Sequence, residues 1–337
     1  MMKAKRLIIM IVLFCMGMAG ASWGRELHRV YILTDISSLK SGIGEPDDTQ
    51  SLIRFLLYAN EFKIEGIGAT YTSHGNTIYP NLIREVIDAY RVSLPSLQNH
   101  GLYPEADELK SKIMRGNPNK GIQYIGEGND TELSEHLIEV LLKEDDAPLW
   151  VLVWGGQLDL AQALWKISQS YSEEKAEKMI QKLRVYAISD QYDKSGNWIR
   201  EHYKNLFYIL NNWSFRGMYR TGDENLVSAK WVQENILSHQ APLARMYPCY
   251  KGGDPWGKIN GIKEGDTPSF LYLLPKSPGD PEKPQEEHWG GTYQQIQGTN
   301  HFTDGEKDSL WQQAANVSKW RQCFQQDFIE RLSWLEN

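Results

Sequence analysis

An apolar run of strand type, Val30–Leu33, delivers Asp35 to its end, the pair Asp47 and Asp48 opens an amphipathic helix, and Ile64–Ala69 forms a second apolar run. Leu52, Ile53, Leu56 and Leu57 recur at the spacing that packs a helix onto a sheet. Strand, helix, strand with buried strands is the βαβ unit, so the sheet is at least partly parallel. Ligands of such sheets lie at the carboxyl ends of the strands, where Asp35 sits. Three carboxylates gathered at one edge repel unless a cation joins them or one takes up a proton. The stretch reads as a hard-cation site.

The pattern repeats. Leu149–Trp154, Val185–Ile188 and Leu206–Leu210 read as further buried strands. Between them, helices are expected over Leu82–Tyr90, Ala106–Met114, Leu133–Leu142, Leu160–Ile167 and Glu173–Leu183. Met218–Gln240 reads as mostly helical, Gly253–Gly265 as loop, and Ser309–Leu335 as a helix or helix pair. The fold class is therefore α/β, a Rossmann-like, mainly parallel sheet flanked by helices. Strand after strand ends in polar residues: Thr70–Asn76, Ser189-Asp190-Gln191-Tyr192-Asp193, and Asn211-Asn212-Trp213. Such residues hold a polyol or simply cap loops. The glycines of Trp154-Gly155-Gly156-Gln157-Leu158 let the backbone approach a site closely, where a main-chain carbonyl can serve as a ligand. Pro275–Gly291, ending in His288-Trp289-Gly290-Gly291, is either a disordered loop or a lid.

A net charge of −7 provides no basic face, which excludes a nucleic acid polymer as partner. Twelve Trp and seventeen Tyr serve either ligand stacking or core burial. Basic Met1–Arg6, apolar Leu7–Met18 and small Ala19-Gly20-Ala21 make a secretory signal peptide, cleaved after Ala21 or Gly24. The expected organisation is a leader over residues 1–24 and one domain over 25–337, periplasmic or secreted and not stably inserted in a membrane. Cys249 and Cys323 either pair in the oxidising compartment or remain buried thiols. CxxC, HExxH and P-loop motifs are missing, which removes the usual zinc and nucleotide-phosphate signatures.

Five marks in one order carry a resemblance: TD followed by EPDD and a Ser-Leu helix, LVWGGQLDLAQAL, AISDQYD, EGDTPSFLYLL and HWGGTY. From about Arg29 onward the chain resembles the nucleoside hydrolase-like domain of a bacterial family known as cellulose-binding proteins, related to the inosine-uridine nucleoside hydrolases. The resemblance implies Ca2+ held by Asp35, Asp48, the Leu158 carbonyl and Asp266, with Asp35 also the catalytic base. It implies sugar hydroxyls on Asp47 and Asn76. Gln191, Asp193, His288 and Trp289 complete the candidate substrate-binding set.

This chain departs from the nucleoside hydrolases at three points. Twelve positions separate Asp35 from Asp47, a longer interval that changes the pocket rim. Gly265 stands where many of those enzymes have a His that helps the base leave, which opens the acid role to His74, His288 or Tyr192. AISDQYD also differs from their Asn-rich ribose pattern. The favoured expectation is a calcium-dependent hydrolase of N-ribosyl or related glycosidic bonds, acting on a small nucleoside or glycan. The competing expectations are a glycan-binding protein without turnover and a calcium-stabilised scaffold; a homo-oligomer stays open.

Overall fold

The computed structural model describes residues 26–41, 46–72, 75–190, 193–305 and 309–336. The expected leader and Gln191, like His74 and Tyr192, lie outside the described residues.

Strands β1 (His28–Thr34), β2 (Phe62–Ala69), β3 (Ile113–Arg115), β4 (Leu149–Val153), β5 (Leu183–Ile188) and β6 (Phe207–Asn211) are followed by β7 (Tyr250–Asp254), β8 (Gly257–Gly261), β9 (Gln294–Gln295) and β10 (His301–Thr303). Eight of them form one sheet in the order β3-β2-β1-β4-β5-β6-β10-β9. All its pairings are parallel except β9 with β10, while β7 and β8 make a separate antiparallel hairpin. The helices of eight residues or more are α1 (Asp47–Leu57), α2 (Pro80–Leu97), α3 (Glu132–Leu142), α4 (Leu158–Ser170), α5 (Glu173–Gln181), α6 (Ser195–His202), α7 (Leu310–Ser318) and α8 (Arg321–Ser333).

Alternation along the central strands explains the layers. Val30 and Ile32 of β1, with Trp150 and Leu152 of β4, join the core beneath α1 and α2. Tyr31 and Leu33, with Val151 and Val153, join the opposite core beneath α3 and α4. Both faces are covered, so the strands read as unbroken apolar runs, as parallel sheets do. From β1 the chain builds outward through β2 and β3, then returns to add β4, β5 and β6 on the other side. Strand order therefore reverses between β1 and β4, and the crevice beyond their carboxyl ends is the default ligand position of such sheets.

Four expectations need correction. The helix expected to reach Met114 stops at Ser111, and Ile113–Arg115 becomes an edge strand on β2. Met218–Gln240 breaks into short pieces, with a regular helix only over Ala229–Asn235. Most of the loop expected over Gly253–Gly265 is the β7–β8 hairpin. The Pro-rich segment is packed down rather than disordered: Tyr293 N–H donates to the Pro284 carbonyl at 2.7 Å, and Arg184 pairs with Glu282 at 2.8 Å. Cys249 is a free thiol, so the Cys249–Cys323 bridge is not formed. Among the described residues, no helix is long and apolar enough to cross a membrane.

Candidate active site

At the carboxyl end of β1, ladder bonds lock the backbone on both sides of Asp35. Thr70 N–H donates to the Thr34 carbonyl at 2.9 Å, and the N–H groups of Trp154 and Gly155 donate to the Leu33 carbonyl at 2.7 and 3.1 Å. Asp47 and Asp48 occupy the first turn of α1, where the helix dipole favours carboxylates. The Thr34 hydroxyl donates to Asp48 Oδ1 and accepts from Ile36 N–H at 3.1 Å, tying the strand end to the helix start.

The fourth acid arrives from the far end of the chain, and one stripe of α1 receives it. Gln50 Nε2 donates to the carbonyls of Pro248 and Gly261 at 2.6 and 3.0 Å, while its Oε1 accepts Lys263 N–H at 2.7 Å. Arg54 pairs with Glu264 at 2.7 Å, both side chains 0% exposed, and Tyr247 donates to the same carboxylate at 2.5 Å. Thr267 Oγ1 lies 3.2 Å from Ser51 Oγ, and Lys263 Nζ lies 3.2 Å from Asp47 Oδ2. From the sheet side, Trp154 Nε1 donates to Ser269 Oγ at 2.8 Å, and that hydroxyl donates to the Asp266 carbonyl at 2.7 Å. Residues 261–269 are thus fastened against both α1 and β4.

Asp35, Asp48 and Asp266 are buried. Burial first, then the neighbouring charges of Asp266, Asp35 and Asp47, push the Asp48 carboxyl well above the usual range; the Thr34 hydrogen bond opposes this. The donor set is all hard oxygen with excess negative charge, which suits calcium or magnesium by type. Its spacing is not that of a closed shell. Among the described residues, no group of three or more His, Cys, Asp or Glu is drawn together as metal ligands. The fit is therefore one of donor chemistry and charge.

Among known proteins, a family model described as "Cellulose-binding Sde182, nucleoside hydrolase-like domain" matches residues 29–293. The chain belongs to this family. Its fold is similar to a solved nucleoside hydrolase-related hypothetical protein from Saccharophagus degradans that is associated with carbohydrate metabolism. The two are 28% identical with a TM-score of 0.73, over 93% of this chain and 72% of that chain. No curated protein matches.

Against this nucleoside hydrolase-like background the remaining expected residues separate. Gly155 packs directly on Asp35: a Cβ there would lie 2.7 Å from the Asp35 main-chain N and 2.6 Å from Thr70 Oγ1. Leu158, by contrast, is the first residue of α4. Asn76 is exposed, in a turn closed by Thr72 N–H on the Thr77 carbonyl at 3.3 Å. Asp193 is buried just ahead of α6, accepting from Ser195 N–H and Oγ at 2.9 and 2.6 Å. The Tyr71 phenol lies in the fields of Asp193 and Asp35 and is pushed up, chiefly by burial.

His288 and Trp289 are core residues, 0% and 4% exposed. His288 packs on Tyr272 with ring centroids 4.0 Å apart and its Nε2 faces the Lys283 carbonyl at 3.3 Å; Trp289 N–H donates to Ser277 Oγ at 2.9 Å. These contacts fold the Pro-rich segment onto itself and onto Tyr272, and the Tyr186 hydroxyl of β5 ties it to the sheet by donating to the Gly290 carbonyl at 2.7 Å; none of these contacts is with an acid of the cluster. Gln50, Ser51, Arg54, Lys263 and Glu264 were missed by sequence reasoning. A signal existed: Asp47, Gln50, Ser51 and Arg54 recur at helical spacing, a polar stripe opposite the apolar one.

Proposed function

We propose that the protein is an exported hydrolase of N-ribosyl or related glycosidic bonds, acting on a small nucleoside or glycan. The observation that carries this reading is that three separate stretches are tied together at the switch point of a parallel sheet: Thr34, beside Asp35, bonds Asp48, Lys263 bonds Asp47, and the segment carrying Asp266 is fastened to α1, near enough for the charges of Asp35, Asp47 and Asp266 to raise the Asp48 carboxyl. Asp35, Asp48 and Asp266 are the residues to hold calcium. When bound, it would supply the positive charge that balances the cluster and Lewis acidity toward a water molecule. Asp35 accepts the proton of the attacking water, held in place by the ladder around β1. Asp47 and Asn76 hydrogen-bond sugar hydroxyls, and the remaining negative charge favours an oxocarbenium-like transition state. Export rests on the leader pattern and on the family's cellulose-binding description.

The test is turnover of a panel of nucleosides and aryl glycosides by the mature protein and by Asp35→Ala. Release of base or aglycone by the wild type, abolished in the variant, supports the reading. A second reading, glycan binding without turnover, draws on the family description and on surface aromatics such as Trp311, 45% exposed and edge-on to Trp256. A wild type inert on the whole panel but retained on insoluble glycan would favour it.

A further inference from the structure

Hydrolysis of a glycosidic bond leaves the departing atom in need of a proton, and the raised Asp48 carboxyl would give up its own to hold the cation of the proposed site, leaving the cluster no proton to donate. Gly265 offers no side chain, and His288 is buried against Tyr272. Three residues before Asp266, however, Lys263 extends an ammonium to within 3.2 Å of Asp47 Oδ2. The two side chains are 16% and 15% exposed, so the pair lies at the rim of the cluster, between the buried acids and solvent. Tyr250 lies beneath the ammonium, 5.1 Å from ring centroid to Nζ, and Tyr219 stands in the combined field of Arg216, Lys263, Asp254 and Asp47.

We propose, resting on the hydrolase reading, that Lys263 is the acid that protonates the leaving group. The atoms balance. The water oxygen forms a bond to the anomeric carbon and its proton passes to Asp35. The glycosidic bond breaks, its electron pair stays on the leaving nitrogen or oxygen, and that atom takes a proton from Lys263 Nζ. Exchange with solvent then resets both side chains. Asp47 carries two tasks in this scheme: it holds a sugar hydroxyl and keeps the ammonium over the glycosidic bond.

Other nearby donors fit less well. The Arg216 guanidinium, 4.2 Å from the Phe215 ring centroid and 4.7 Å from that of Trp256, does not give up a proton in proteins. The Tyr219 phenol is pushed up, first by burial, and is a weak acid there. A purely structural role for the bridge is also weaker. Residues 261–267 are also held to α1 by Gln50, Ser51 and Arg54, so the segment does not depend on the Lys263–Asp47 bridge alone.

The experiment compares the calcium-supplied wild type with Lys263→Met and Lys263→Arg on two ribosides of one sugar. One is a nucleoside whose base must be protonated; the other is p-nitrophenyl riboside, whose aglycone leaves as an anion. The expected result is a loss of about 10²- to 10⁴-fold in kcat/KM on the nucleoside, with little change on the nitrophenyl riboside. Lys263→Arg, which keeps charge but holds its proton, should not rescue the nucleoside reaction. Equal losses on both substrates, at unchanged melting temperature, would show a positioning role and overturn the proposal. So would full nucleoside activity in Lys263→Met. A wild type inert on both ribosides defeats the hydrolase reading itself, and this proposal with it.

Discussion

Removing the Arg54 guanidinium tests how the distant acid is held in place. Arg54 sits in the middle of α1 with its side chain 0% exposed, paired with a Glu264 carboxylate that is equally buried. Its Nη2 donates to Gln325 Oε1 at 2.6 Å, and the guanidinium lies 3.8 Å from the Phe328 ring centroid. One side chain therefore joins α1, the segment that carries Asp266, and α8. Burial pushes the Glu264 carboxyl up, and Arg54 and the Tyr247 hydrogen bond pull it only part of the way back, so it stays above its usual value even with its partner in place. Breaking it is another matter. Arg54→Met leaves Glu264 buried without its cation, which costs about 3–5 kcal/mol. At about 2 °C per kcal/mol for a domain of this size, the melting temperature should fall by roughly 6–10 °C. The double variant Arg54→Met/Glu264→Gln should recover most of this, because the amide that replaces the carboxylate is neutral and still accepts from Tyr247. Scanning calorimetry of the single and double variants decides the matter. A fall below about 2 °C in Arg54→Met, or no recovery in the double, would refute the account of the latch.

Further outcomes are expected. Asp48→Asn removes one of the repelling carboxylates while keeping an oxygen for Thr34, so it should melt higher than wild type in chelator and lose any calcium-dependent rise. Gly155→Ala places a Cβ 2.6–2.7 Å from Thr70 and Asp35, and should cost about 1–3 kcal/mol in a urea melt while impairing turnover. Glu65 gives a pH dependence of known sign. Burial alone would raise it, but hydrogen bonds from Arg29 and Lys143 outweigh that and draw it below its usual value of 4.5. Its contribution is fully present above about pH 4.5 and is lost as the pH falls through the lowered value, so Glu65→Gln should flatten the acid limb of the urea midpoint.

Much of the architecture was readable because central parallel strands carry their burial on both faces. Val30–Leu33, Leu149–Trp154 and Val185–Ile188 are apolar without interruption, and all lie in the middle of the sheet. The edges were harder. β3 has three residues, of which only Ile113 is buried, too short to show a period. The β7–β8 hairpin is Gly-rich and mostly exposed, and offers no alternation to read. Composition misled at Pro275–Gly291, where Pro, Glu and Lys suggest a free loop but Pro284, His288 and Trp289 are buried. At the site, Asp35, Asp47, Asp48 and Asp266 were legible as acids, and what the fold adds is the fastening of the segment that carries Asp266 against α1. The polar stripe of α1 reads as a solvated helix face because its partner, residues 261–269, lies some two hundred positions away. Local pattern shows that a face is polar, and tertiary structure shows what it binds.

The central claim is that acids from distant parts of the chain make one cation-dependent hydrolytic site. Its most direct measurement is a calcium titration by calorimetry of chelator-treated wild type, Asp48→Asn and Asp266→Asn. One equivalent bound by the wild type, with affinity sharply reduced in both variants, is the predicted result. Equal binding in all three proteins, or no binding in any, would contradict it.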